Sequence, residues 1–277
     1  MKRIVSIQDI SCLGKCSLTV ALPVLSAMGV ECAILPTAVL STHTMFQNFT
    51  CKDLTDQITP IGAHWKQEQI QFDAIYTGYL ASKEQIADVC RFFDDFKTAD
   101  NLIFVDPAMA DNGKLYPAFG ADFPAEMAKA CAKADVIVPN LTEASLLTGL
   151  PYRTEYDEAY IRELIGALAE LGPRHVALTG VSFEPGKVGV MSFDQKTGTY
   201  FRYFTEHLPV SFHGTGDVFA SACVGGLMNG LDLGKALSLA ADYTVECIRK
   251  TTQTPQANWY GVEFEQAIPY LIRRLER

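Results

Sequence analysis

The sequence predicts an α/β fold, a mostly parallel central sheet flanked by helices on both faces. Three observations carry this. Short apolar runs of strand length alternate with stretches whose apolar residues recur at helical spacing. Most of the short runs stop abruptly at a polar residue or a glycine. A glycine-rich pentapeptide, His213-Gly214-Thr215-Gly216-Asp217, joins an extended run (201–212) to an apolar, helix-like segment that begins at Val218.

In chain order, residues 4–7 read as a buried first strand, and the polar stretch 8–15, which contains Gly14, reads as a loop. A helix is expected over 17–28, stopped by Gly29. Residues 32–35 form a second strand, followed by a hydroxyl-rich loop over 37–50. A third strand, 74–76, ends at Thr77-Gly78-Tyr79. Residues 83–96 place Ile86, Val89, Cys90 and Phe93 at helical spacing. The run 102–105 ends in Asp106-Pro107, and 136–138 ends in Pro139-Asn140. Helices are expected over 125–134, over 143–148 before Gly149, and over 161–171. Residues 175–178 make a strand ending at Thr179-Gly180. Residues 188–193 and 199–204 alternate around Asp194-Gln195-Lys196-Thr197-Gly198, which predicts a hairpin. Two helices close the chain, near 233–250 and 264–275. No linker-like break in composition appears, so one domain over 1–277 is expected.

Composition narrows the function. The 277 residues are 48% hydrophobic, enough for a sizeable core, and a net charge of −9 without a basic stripe argues against a nucleic-acid role. The apolar run after Met1 is too short for a secretory leader, and no run is long enough to span a membrane. The eight cysteines follow no common zinc spacing and read as reduced, which points to the cytoplasm.

The pentapeptide carries the chemistry. Its glycines let the backbone approach an anion, and the N–H groups opening the next helix would point at that anion. An aspartate beside an anion site is repulsive unless it has a task. Removing the proton from a hydroxyl that attacks a phosphoryl group is such a task for Asp217, and capping the helix is the plainer alternative. Asp9, Tyr79, Asp106, Asn140 and Thr179 each follow a strand and would meet Gly214 to Asp217 on one rim, where open α/β sheets bind ligands. Asp106 and Glu143 offer hard oxygens for Mg²⁺, while Asn140 and Glu143 also fit a capping box. His43 reads as a structural histidine for its loop, His213 as packing or a backbone partner, and Lys187 as an exposed turn residue.

Several segments together resemble the pyridoxal kinase (vitamin B6 kinase) family of the ribokinase-like superfamily. They are Ser6-Ile7-Gln8, Ser41-Thr42-His43-Thr44, Thr77-Gly78-Tyr79-Leu80, Val105-Asp106-Pro107-Ala108-Met109, Pro139-Asn140-Leu141-Thr142-Glu143 and Gly214-Thr215-Gly216-Asp217. The resemblance implies ATP-dependent phosphorylation of the 5′-hydroxymethyl group of pyridoxal, pyridoxine or pyridoxamine. It makes Asp217 the base, with the N–H groups of Gly214, Thr215 and Gly216 on the transferring phosphoryl. Asp9, Thr44 and Tyr79 would face the pyridine substrate. Asp106, Asn140 and Glu143 would surround Mg-ATP, with room for a monovalent cation, and Thr179 would lie along the nucleotide. A homodimer is implied as well. This chain has Asp9 where the family commonly has serine, and Leu13-Gly14-Lys15 where it has Tyr-Gly or a similar pair. A carboxylate there would favour hydrogen-bond donors such as the amine of pyridoxamine, unless Asp9 only serves its own loop. The alternatives are a hydroxymethylpyrimidine or other small-alcohol kinase of the superfamily, and a catalytically silent metabolite sensor.

Overall fold

The computed structural model describes residues 1–275. Its centre is a nine-stranded sheet built from β1 (Arg3–Leu13), β2 (Glu31–Thr42), β3 (Cys51–Asp53), β4 (Ala74–Thr77), β5 (Leu102–Val105), β8 (Val136–Ile137), β9 (His175–Val181), β10 (Lys187–Asp194) and β11 (Thr199–Glu206). The order across the sheet is β11-β10-β9-β8-β5-β4-β1-β2-β3. From β9 to β2 the neighbours are parallel; β3 and β10 run against them, and the edge strand β11 pairs antiparallel with β10. A separate two-stranded ribbon, β6 (Ala110–Asp111) with β7 (Lys114–Leu115), stands apart from the sheet.

The strands are apolar because both faces are covered. Side chains alternate across β1: Val5 and Ile7 join one buried cluster, and Ile4 joins the other. The first cluster lies under α2 (Thr55–Gln67), α3 (Lys83–Phe96), α4 (Phe123–Ala132), α5 (Leu141–Thr148) and α6 (Glu158–Ala169). The second lies under α1 (Leu18–Ala27), α7 (Thr215–Met228), α8 (Leu233–Gln253) and α9 (Phe264–Leu275). Strand order reverses at β1, which sits between β2 and β4. That switch point opens a crevice at the carboxyl ends of the strands.

Two expectations need correcting, and one helix was not expected. Residues 8–13 are strand, not loop: β1 runs on to Leu13, pairing Ile10 with Val39 and Leu13 with Thr42 beyond an irregularity at Gln8. Its polar residues survive inside the sheet because they bond one another. The expected loop over 37–50 is likewise strand as far as Thr42, and β3 pairs back onto it. Helix α2 had no expectation at all; Pro60 interrupts its pattern, and only Ile58 and Gly62 are buried. The hairpin of β10 and β11 and the limits of α3 are as expected.

Candidate active site

The glycine-rich pentapeptide sits where β11's return loop turns into α7. Gly214 is the N-cap residue, with φ 80°. A Cβ on it would lie 1.8 Å from the carbonyl oxygen of Lys15, so the start of α7 is pressed against the loop between β1 and α1 by a contact only glycine permits. The first-turn N–H groups of α7 have no intrahelical partners and carry the positive end of its dipole. Asp217 lies in that first turn and is half-buried. Burial pushes its carboxyl up to about 7, helped by the charge of Asp9, while the backbone amides of Ser17 and of Asp217 itself pull it back.

A cleft of about 620 Å³ opens in front of this helix start. Asp106, Asn140, Glu143, Thr179, Gly214, Thr215, Gly216 and Asp217 all line it. Among the described residues no lysine or arginine does. Negative phosphates would therefore rest on backbone N–H groups and a bound cation. The far wall includes Ala241, Thr244, Val245 and Ile248 of α8, and the turn of the β6–β7 ribbon contributes Asp111 and Asn112. Asn112 and Gly113 both take positive φ in that turn, and the Gly113 amide donates to the Thr142 hydroxyl at 2.9 Å.

Asn140 and Glu143 make the capping box in full. The Asn140 side chain accepts from the amides of Thr142 and Glu143, and the Asn140 amide donates to Glu143 Oε2 at 2.8 Å. Glu143 Oε1 accepts from the Met109 amide at 3.1 Å. Both oxygens of Glu143 are thus engaged by backbone, and burial raises its carboxyl from the usual range. Asp106 differs. It is buried, receives no hydrogen bond among the described residues, and is pushed well up by burial and by the charges of Glu143 and Asp217. A carboxylate with no protein donor, on the cleft wall beside an anion hole, suits a hard cation. Among the described residues no three His, Cys, Asp or Glu side chains converge into a cage. Asp106 would fit Mg²⁺, while each oxygen of Glu143 already accepts a backbone amide.

Asp9, Thr44 and Tyr79 do not line this cleft. Thr44 and Tyr79 follow the ends of β2 and β4, and Asp9 lies in β1 between those two strands, at the switch point. Thr44 is exposed in the turn after β2. Tyr79 packs on Phe119 with ring centroids 5.4 Å apart, and burial pushes its hydroxyl up to about 12, with the charge of Asp9 adding to the effect. Asp9 departs from its expected place. It lies inside β1 rather than at its end, is 5% exposed, and bonds two hydroxyls: Oδ1 accepts from Ser17 at 2.6 Å and Oδ2 from Ser11 at 3.0 Å.

His43 is structural, as expected. Its Nδ1 accepts from the Met45 amide at 3.2 Å, which leaves Nε2–H to donate to the Tyr260 carbonyl at 2.9 Å. The His213 ring sits 4.4 Å from that of His43, tilted by 39°, and burial lowers its imidazole to about 4. Lys187 pairs with Glu184 at the surface. The residues that sequence reasoning missed are Ser11, Ser17 and the cleft wall of α8. Residues 241, 244, 245 and 248 do recur at helical spacing, but a ligand wall and a core stripe look alike in sequence.

The strand order, the switch point and the glycine-led helix start define a ribokinase-like α/β protein. The chain belongs to the phosphomethylpyrimidine kinase family, whose model matches residues 22–260. It is 40% identical to a candidate phosphomethylpyrimidine kinase from Bacteroides thetaiotaomicron, solved in a crystal form with pyridoxal; the match has a TM-score of 0.92 and covers 98% of this chain and 95% of that one. It is 31% identical to the pyridoxal kinase of Lactobacillus plantarum, with a TM-score of 0.90 over 99% of this chain and 97% of that one. It is also 26% identical over 265 residues to the pyridoxal kinase of Arabidopsis thaliana, covering 90% of this chain and 82% of that protein.

Proposed function

We propose that the chain is an ATP-dependent kinase that phosphorylates the 5′-hydroxymethyl group of a B6 vitamer. The observation that carries this reading is Asp217. A carboxylate held near neutrality stands in the first turn of a helix whose free N–H groups face the cleft. The 40% identical relative crystallised with pyridoxal supports the pyridine substrate.

The transfer follows from these positions. The γ-phosphoryl rests on the N–H groups of Gly214, Thr215 and Gly216. Asp217 accepts the proton of the attacking hydroxyl as its oxygen bonds to phosphorus, and the bond from phosphorus to the leaving oxygen of ADP breaks. Asn140, Thr179 and the α8 stripe line the nucleotide. Asp106 would hold Mg²⁺, which would supply neutralisation of the phosphate charge. Asp9, Thr44 and Tyr79 border the vitamer pocket. The same reading has the enzyme work in the cytoplasm as a homodimer, with a monomer mass in light scattering as the result that removes the dimer. No helix among the described residues is long and apolar enough to cross a membrane.

Steady-state assays over pyridoxal, pyridoxamine, pyridoxine and hydroxymethylpyrimidine test the reading. Turnover highest on a B6 vitamer is the expected result. Preference for hydroxymethylpyrimidine would support the narrower sense of the family's name, and no turnover on any of them would leave a sensor.

The two acidic residues separate in a metal titration. Asp106→Asn is expected to raise the Mg²⁺ needed for half-maximal rate, because its free oxygens lose their charge. Glu143→Gln is expected to lower the thermal midpoint instead. It replaces an acceptor of backbone amides by a donor, at about 1–3 kcal/mol. If Glu143→Gln shifts the Mg²⁺ titration and Asp106→Asn does not, the assignment is reversed.

A further inference from the structure

Lys15 is only 8% exposed, an unusual place for an ammonium. It stands in the loop between β1 and α1, and its backbone is held between two glycines. On one side is Gly214, where an added Cβ would strike the Lys15 carbonyl oxygen. On the other is Gly261, in the connection from α8 to α9. An added Cβ there would lie 2.5 Å from the Lys15 Cβ and 3.4 Å from that same oxygen. The three segments approach this closely because two of them present no side chain.

The Lys15 side chain fixes the stack. Its Nζ donates to Glu263 Oε2 at 3.0 Å and to Glu265 Oε2 at 2.8 Å, and lies 5.6 Å from the centre of the Phe264 ring. The side chains of Lys15 and Glu263 are 10% and 13% exposed. The receiving segment is itself anchored. The Asn258 side chain donates to Glu263 Oε1 at 3.2 Å, and the Glu263 amide donates to the Thr251 hydroxyl at 2.8 Å. The Tyr243 hydroxyl donates to the Phe264 carbonyl at 3.1 Å. Tyr243 and Thr251 belong to α8, the helix that gives the cleft its far wall. One ammonium therefore ties the start of α7 to the far wall of the same cleft. Buried ion pairs add little stability over apolar residues of equal volume, so stability alone does not account for one at this spot.

We propose that Lys15 is a positioning residue for phosphoryl transfer. Its ion pairs with Glu263 and Glu265 keep its backbone wedged against Gly214, and so set where the N–H groups of the first turn of α7 stand in the cleft. This rests on the reading of that turn as the phosphoryl site. Lys15 itself does not line the cleft and acts through Gly214.

The test measures kcat and KM separately for ATP and for a B6 vitamer. Lys15→Met keeps most of the side-chain volume and removes the charge. It is combined with Glu263→Gln and Glu265→Gln, so that no carboxylate loses its partner. In this triple variant kcat is expected to fall about 10–100-fold, the scale of a small misplacement of reacting groups, while KM for both substrates stays within about threefold. Its thermal midpoint is expected to stay close to the parent's. ADP, which lacks the γ-phosphoryl, should raise that midpoint as much as it does in the parent. Lys15→Arg keeps the charge and should retain most of the parent's kcat. Parent-like kcat in the folded triple variant overturns the proposal. So does a loss confined to KM, or a Lys15→Arg variant as slow as the triple one. Where the triple variant folds poorly, Glu265→Gln serves, because that side chain is 51% exposed. Its kcat should fall about threefold or more at an unchanged midpoint, and an unchanged kcat overturns the proposal. Asp217→Asn run alongside keeps the failures apart. Turnover kept there removes the base, turnover kept in the Lys15 variants removes the positioning role, and an inactive parent overturns both.

Discussion

Asp217→Asn is expected to lower kcat about 10²–10⁴-fold, the usual contribution of a positioned base, with ADP binding and fold retained. The amide is nearly isosteric, so the loss isolates the proton acceptor. The pH profile gives a second signature. Asp217 works only when ionised, and its folded carboxyl is pushed up to about 7 by burial and then by the charge of Asp9. In the parent, kcat/KM should therefore climb as pH rises through about 7 and level off above it. The stability effect has the opposite sign. A folded value above the unfolded 3.8 means the folded protein binds this proton more tightly, so the stability it confers is present below pH 3.8 and is lost as pH rises through about 7. The Asn variant lacks this dependence, and its thermal midpoint at pH 8 should equal or exceed the parent's. A variant that keeps kcat within a few-fold of the parent, or a parent profile flat from pH 6 to 8, would remove Asp217 from the role of base.

The parts of this architecture that could be read in the sequence are those whose cause is local. Helix α3 keeps its expected limits because Ser82 caps it and Ile86, Val89 and Phe93 lie on one buried face. The rim of the site was readable because Asp106, Asn140 and Thr179 each break an apolar strand pattern, which only a change of environment explains. The second half of β1 was not readable. Asp9 and Ser11 look like loop residues, and what keeps them in a strand is the ladder offered by β2 and a hydroxyl from Ser17. Nor could the state of Glu143 be read. Its spacing from Asn140 announces the capping box, but the Met109 amide that takes its other oxygen lies 34 positions away. The division between Asp106 as a cation holder and Glu143 as a backbone clamp follows from that one long-range bond.

Gly214→Ala is expected to damage the enzyme in both stability and rate, and Gly216→Ala to spare its stability. The difference is geometric. Gly214 has φ 80°, and a Cβ there would meet the Lys15 carbonyl oxygen at 1.8 Å, far inside any tolerated contact. Backbone atoms on both sides leave nothing flexible to yield, so the start of α7 must move away from the β1–α1 loop. Strained backbone alone costs of order 1–3 kcal/mol. That corresponds to a fall of roughly 2–12 °C in the thermal midpoint, and the displacement adds to it. The same movement would carry the N–H groups of Thr215 and Gly216 and the Asp217 carboxylate away from the proposed phosphoryl position. Losing such preorganised donors costs about 10²–10³-fold in kcat. At Gly216 the nearest atom to an added Cβ is Asp106 Oδ2 at 4.0 Å, an ordinary contact, and alanine suits a helix better than glycine. Gly216→Ala should therefore melt no lower than the parent, with its effect confined to ATP and Mg²⁺ requirements at the Asp106 side of the cleft. Parent-like kcat in Gly214→Ala would mean that the contact with Lys15 does not hold the anion site in place. Equal melting losses in the two alanine variants would mean that the pressed contact at Gly214 is not what sets them apart.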